Sequence, residues 1–578
     1  MKLDTTRRPL EHERVPLPDI YEDGKPVYIL SKGASRKTGR EALRENIQVA
    51  QVMVEFVKDL FGPYRMVKMI SEGKTTYVTS DLLTAFRKTP LSHPTAQLIA
   101  GAAVATYREC GGGAASTVIL AGKILENCQQ LLDLGVHPNA IADGLLVAFE
   151  KVLEIANKLA IRSNVDESEF IKNVVRRSLS GKLPAHEEEY LARLIYQLVK
   201  TVGVENLSGS ERSDVVDFKK ALGGSLSESE IIEGLILRKE IPHMEMPRSV
   251  RDAKIALVKG RLRLDRKLGR YENRKITFDS PEKFSRFEHS KQDLLRGFLQ
   301  NIIQVGVNVL MVEEGIDDFL LEYLARLGIL AIRRFPPPEF DRVAKTTGAT
   351  IITDLYNIAT SDLGWAEVVE ERKINRQSWL CIGGCRNPKT VDILLRGTTN
   401  ELLDDIERVV KGALPTIKVL HEDDRLVWGG GAFEEEISAS LRNYAKELAD
   451  KRQLAVNAVA EALEYLPVLL GETVDLKGID VIAELRAVHA NGKRSAGIDP
   501  AEKRIADMDA LKIYDLYAMK LQAIKTAFET ALTILRIDDF IVARKLSEPE
   551  LNYMQRMKGT SPEKLEKMRK EYGLESLE

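Results

Sequence analysis

The stretch richest in chemical possibility is Glu109-Cys110-Gly111-Gly112-Gly113-Ala114-Ala115-Ser116-Thr117-Val118-Ile119. Three glycines followed by small residues, running into an apolar helical pattern, describe a loop at a helix N-terminus where backbone N–H groups can approach an anion such as phosphate. The same composition serves as a flexible connection between two helices, and so short a motif does not separate the two readings. Between Gly111 and Ser116 there is no carboxylate and no Lys to hold a metal or pair with a phosphate. A second candidate is Cys381 with Cys385, spaced closely enough for half of a metal site. No second Cys or His cluster completes it, so buried thiols are the expected reading. With Cys110 and Cys128 these make 4 cysteines, too few for a disulfide framework, and a reducing compartment is expected.

The elements that must position these residues fall into a nested order. At 578 residues the chain is too long for one core and should divide into about three or four domains. Its 84 basic and 86 acidic residues nearly cancel, so the composition carries no overall footprint for nucleic acid or an anionic membrane. No apolar run is expected to reach membrane-spanning length, and Arg7, Arg8, Glu11 and Glu13 stand where a signal peptide would be apolar, so a cytoplasmic protein is expected.

Residues 1 to about 24 read as an extended polar arm, and Val27-Tyr28-Ile29-Leu30 as a short strand. A long helix is predicted from Thr38 to Leu60, with Leu43, Ile47, Ala50, Val54 and Val57 at helical spacing. Phe61-Gly62-Pro63 ends it, and a hairpin is predicted from about Val67 to Asp81. Helices follow at about 93–109, 117–134 and 138–159 and through most of 166–203. From Ile231 to about Ile374, β-type runs alternate with helices, which argues a compact α/β domain. Arg261 to His289, poor in aliphatics and dense in charge, reads as a solvated excursion from it. After a second β-type region at 379–398, helical periodicity resumes at Asn400 and continues to about Ile537. One helical domain is therefore interrupted by an α/β insertion.

With that nesting, the chain resembles the group II chaperonins, the archaeal thermosome and eukaryotic cytosolic chaperonin family. The resemblance runs from about Gly24 to about Leu546. It is carried in order by Thr38-Gly39-Arg40-Glu41-Ala42, Phe61-Gly62-Pro63, Met244-Glu245-Met246-Pro247, Gly315-Ile316-Asp317-Asp318, Gly328 to Arg334, Val369-Glu370-Glu371-Arg372-Lys373, Ile393-Leu394-Leu395-Arg396-Gly397, Gly429-Gly430-Gly431-Ala432, Glu484-Leu485-Arg486 and Leu535-Arg536-Ile537-Asp538-Asp539. It implies an α+β multidomain chaperonin fold: an N-terminal arm (1–23), a helical equatorial domain (24–156 and 413–546), a small intermediate domain (157–226 and 376–412), an α/β apical domain (227–375) with a helical protrusion at about 261–289, and a charged tail (547–578). It also implies ATP-driven encapsulation of unfolded client proteins by stacked rings of this chain or of paralogous subunits. The hairpin before Asp81 and the strand at 538–543 match elements that pair between neighbouring subunits in that family.

The resemblance assigns nucleotide-binding positions singly. Gly62 and Pro63 match the phosphate-side loop, although the family's following Lys-Gly is Tyr64-Arg65. Asp81 matches an Asp near the γ-phosphate, followed here by Leu82. Gly430 matches a nucleotide-contacting glycine, and Gly497, Asp499 and Asp515 match positions near adenine and ribose. Lys182 matches the nucleotide-sensing loop. Gly111, Gly113 and Ser116 keep the frame of the opening loop, but the family's Gly-Asp-Gly-Thr-Thr-Thr is Gly111 to Ser116, so its magnesium-holding Asp is Gly112 and two of three hydroxyls are absent. A second family Asp, which orients the attacking water, is Gly412. Phosphoryl transfer rests on positioning and charge neutralisation, so no catalytic residue and no metal ligand is assigned and a weak or absent ATPase is expected. ATP or ADP remains the implied ligand, with magnesium left open. Two functions stay in view: a chaperonin-like subunit acting in protein folding, and a ring- or filament-forming assembly module without that duty.

Overall fold

The computed structural model describes residues 20–22, 25–27, 35–72, 75–162, 168–173, 184–206, 215–262, 281, 297, 299–353, 358–385 and 390–542. Lys182, most of the 261–289 excursion and the 547–578 tail lie outside them, as do residues 28–30 of the first expected strand.

Helices Gly39–Lys58, Pro94–Cys110, Ala114–Asp133 and Pro138–Leu159 pack with Ala432–Glu447, Arg452–Glu472 and Tyr517–Leu535 around one apolar core drawn from residues 43–159 and 427–535. Local chemistry starts several of them. Pro94 and Pro138 occupy first turns, where a missing N–H costs nothing. His93 and His137 accept from the N–H groups of Thr95 and Asn139. The Arg452–Glu472 helix is long and apolar enough to cross a membrane, contrary to the expectation that no run reaches that length, and 67% of its apolar window is buried inside the protein. Central helices of a large core are apolar on every side because neighbours surround them.

The middle of the chain forms a nine-stranded mixed sheet. Its order is Leu330–Arg333, Val309–Val312, Ser249–Val258, Gly364–Ile374, Gln377–Cys385, Glu230–Leu237, Val391–Gly397 and Val216–Leu222, with Ile351–Ile352 also on Ser249–Val258. Val309–Val312 is buried at every residue and runs parallel to both neighbours, as expected for a strand covered on two faces. A core from residues 235–382 lies on this sheet, and a separate one joins residues 171–226 with 391–417. The sheet continues across residue 375, where Asn375 and Arg376, both at positive φ, make the two-residue turn of a hairpin.

Two helices absent from the sequence reading, Leu82–Lys88 and Pro337–Thr347, are short and follow turn residues. The third expected helix begins at Ala114, three residues before Thr117, because Gly113 takes the left-handed conformation that starts it. Within one chain the 68–79 hairpin pairs with itself, and Asp539–Val542 pairs antiparallel with Ser35–Thr38.

Candidate functional site

Three glycine turns converge on one cavity of about 760 Å³. Gly111 ends the 94–110 helix at φ 70°, its N–H donating to Tyr107 O at 2.7 Å, and Gly113 at φ 79° begins the 114–133 helix without a side-chain cap. A Cβ on Gly111 would lie 2.3 Å from Gly412 O and 2.7 Å from Thr416 Oγ1. The triple-glycine turn is therefore a clamped structure and not a flexible connection, since both its dihedrals and its space exclude a side chain. Gly430 (φ 63°) and Gly431 (φ 82°) start the 432–447 helix the same way, and a Cβ on Gly430 would meet Ile498 O at 2.7 Å. Gly62, at φ 81°, closes the third side against Thr473. Two helix N-termini without side-chain caps thus open on one cavity, and their dipoles and first-turn N–H groups, of which Ala432 N already donates to Gly429 O, favour an anion there.

Of the positions singled out in the sequence, Gly62, Pro63, Asp81, Gly111, Gly113, Ser116, Gly430, Asp499 and Asp515 all line this cavity, as do Gly112 and Gly412. Gly497 does not. It sits behind the wall, where a Cβ would be 2.9 Å from Gly429 O and 3.0 Å from Gly430 O. Asp81 caps the 82–88 helix, accepting from Thr84 N at 2.8 Å, and lies 4.0 Å from Arg408 Nη1. Asp499 is buried and accepts from Ala501 N at 2.9 Å.

Several lining residues escaped the sequence reading. Lys520 stands 2.5 Å from buried Glu434 and 3.2 Å from Asp515. Burial opposes its charge, but the two carboxylates outweigh burial and hold its pKa above the usual value. Arg408 pairs with Asp405 and donates to Thr79 Oγ1 at 2.9 Å. It lies four residues before Gly412 and eight before Thr416 on the Asn400–Glu422 helix, so all three share one face. Thr416 Oγ1 donates to Gly412 O at 2.8 Å and lies 3.2 Å from Cys110 O, tying that face to the end of the 94–110 helix. Arg65 donates from Nε to Gly62 O at 3.1 Å, so the Tyr64-Arg65 pair adds a guanidinium to the glycine turn. The i, i+4 spacing from Gly412 was the available signal for Arg408; no local pattern announces Lys520.

The two positions that lack carboxylates are physically filled by neighbours. A Cβ on Gly112 would fall 2.6 Å from Met519 Sδ, and one on Gly412 would fall 2.8 Å from Tyr107 Oη. Burial first, and then the Asp81 charge, push the Tyr107 phenol up to about 12, so it stays protonated. Among the described residues no group of three His, Cys, Asp or Glu side chains is arranged to hold a metal. The cavity therefore fits a phosphate-bearing ligand by its backbone, while the place a carboxylate at 112 would take to hold a divalent cation is occupied by Met519. Away from it, Cys381 is buried and Cys385 half-buried on one strand, and burial pushes their thiols up to about 12 and about 11.

A helical body built from both ends of the chain, with a mixed sheet inserted between them, is the architecture of a multidomain α+β chaperonin subunit. The sequence pattern of the TCP-1/cpn60 chaperonin family matches residues 53–545, and the chain belongs to that family. It is 37% identical over 527 residues to a thermosome subunit beta of Archaeoglobus fulgidus, covering 91% of this chain and 96% of the relative. A thermosome subunit of Pyrococcus abyssi is 37% identical over 528 residues, covering 91% and 95%. A thermosome subunit beta of Thermococcus kodakarensis is also 37% identical over 528 residues, covering 91% and 96%.

Proposed function

We propose that this chain is a cytoplasmic chaperonin subunit of a ring assembly, acting in the folding or encapsulation of other proteins, that binds ATP or ADP in the glycine-walled cavity and hydrolyses it weakly or not at all. The single observation that carries the loss of hydrolysis is the pair Gly112 and Gly412, each with a bulky neighbour over the place a carboxylate would take. Membership of a chaperonin family supports the folding role, and the glycine turns with their two uncapped helix starts support nucleotide binding. In this reading 24–156 with 413–546 forms the ring-contact and nucleotide domain, 157–226 with 376–412 transmits between domains, and 227–375 meets clients. The 68–79 hairpin exposes Met69 and Val78 and, among the described residues, pairs only with itself, which supports assembly with this chain or a paralogous subunit through its strand edge.

Steady-state phosphate release by the assembled protein tests the reading. Turnover at least about a hundredfold below that of a hydrolysing thermosome is expected, since losing even one transition-state charge contact costs that much. Magnesium-dependent turnover at the relative's rate would overturn it. The assembly-module alternative is separated by client work: a ring that neither retains unfolded protein nor suppresses its aggregation would favour that module.

A further inference from the structure

The cavity contains four cationic side chains among its described lining residues, Arg65, Arg408, Lys512 and Lys520, and they are not equivalent. Lys520 is engaged by Glu434 and Asp515, and Arg408 by Asp405 with Asp81 at 4.0 Å. Arg65 and Lys512 have no ion pair among the described residues; of the two, Arg65 is fixed to the glycine turn, its Nε donating to Gly62 O, with the Asp81 charge near it. A guanidinium presents a rigid fork of donors that matches a phosphate and stays charged throughout the physiological range. Met519 Sδ and Tyr107 Oη occupy the space that side chains at 112 and 412 would need, so the thioether stands where a metal-holding carboxylate would and the neutral phenol where a water-orienting one would. A polyphosphate entering this cavity brings several negative charges, and with no carboxylate-held cation to balance them, protein donors must.

We infer that the site binds a nucleoside polyphosphate without a divalent cation, with Arg65 and the uncapped N-termini of the 114–133 and 432–447 helices supplying the charge that a metal would otherwise bring. This deepens the nucleotide-binding reading of the same cavity and rests on it. Arg65 is here a ligand-binding residue; Met519 is a positioning residue that occupies the metal position.

Calorimetric titration of ATP and of inorganic triphosphate into the assembled full-length protein, in magnesium and in EDTA, tests the inference. Dissociation constants in the two buffers should agree within about threefold, and Arg65→Ala should weaken both ligands by about ten- to a hundredfold, the weight of hydrogen bonds to charged groups. Circular dichroism and the melting temperature establish that the variant is folded. Gly112→Asp should acquire tighter ATP binding in magnesium than in EDTA, and the paired variant Gly112→Asp/Met519→Ala should widen that difference further. ATP binding that needs magnesium in the wild type would overturn the inference yet leave the nucleotide reading intact, and so would a folded Arg65→Ala protein that binds as the wild type does. Absence of ATP binding in both buffers would overturn the nucleotide reading itself and this inference with it.

Discussion

The two helix starts that face the cavity are built alike and furnished differently. Each is opened by a left-handed glycine without a side-chain cap, at Gly113 and at Gly431. Behind Gly431 the first turn carries Glu434, buried and neutralised by Lys520, which also reaches Asp515. Behind Gly113 the first turn is Ala114, Ala115 and Ser116, and a thioether fills the space beside Gly112. The backbone architecture is thus the same at both starts, while among the described residues an ionic network stands at one only. Backbone cradles depend on dihedrals and close packing that the core enforces, whereas side-chain charge can be exchanged for an apolar contact without disturbing the helix.

The sharpest way to break this contrast is at Lys520. Lys520→Ala leaves Glu434 buried without its cation and should destabilise the protein by about 3–5 kcal/mol, read by denaturant unfolding. Glu434→Gln in the same chain should recover a good part of the loss, and additive losses would show that the two do not act as a pair.

One residue further along the same helix, Glu435 is fully buried with neither carboxylate oxygen bonded among the described residues. Burial first, and then the Glu464 charge, raise its pKa to about 7, against the opposing pull of His489, Arg486 and Arg442. Its folded pKa lies above that of the unfolded chain, so the folded state holds the proton more tightly. Stability contributed by this group is full below about pH 4.5 and is lost as pH rises toward about 7, by about 3 kcal/mol in all. Unfolding free energies at pH 5 and pH 8 should differ less in Glu435→Gln than in the wild type; an unchanged slope would rule Glu435 out as its source.

The glycines permit a finer comparison. Gly111→Ala combines a positive φ with a Cβ 2.3 Å from a backbone carbonyl and should cost about 2–3 kcal/mol. Gly112→Ala meets only the flexible end of Met519, at an ordinary φ, and should cost under about 1 kcal/mol. Equal melting-temperature shifts for the two would show that the turn is held by something other than the clamp from Gly412 and Thr416.

The nested order of helical and mixed segments was legible because amphipathic periodicity is local: Leu43, Ile47, Ala50, Val54 and Val57 all face the core of the 39–58 helix. The bounds of the 138–159 helix were legible for the same reason, with Pro138 marking its start. Short helices such as 82–88 were not, since seven residues offer barely two turns of pattern. At the cavity, the glycine turns were visible as composition, but their rigidity was not, because the clamp on Gly111 comes from Gly412 and Thr416, some three hundred residues away.

By itself, then, the sequence determined the family, the class of fold and the absence of carboxylates at 112 and 412, all of which are properties of residue types in order. Only the tertiary structure decided that Met519 and Tyr107 fill those two places, that Lys520 is engaged by Glu434 and Asp515, and that Arg65 stands on the glycine turn without an ion pair among the described residues. The physical reason is that side-chain charge and volume act over a few ångströms in space. Residues such as Gly112 and Met519, 407 positions apart in the chain, come within that range only when the cores around them have packed.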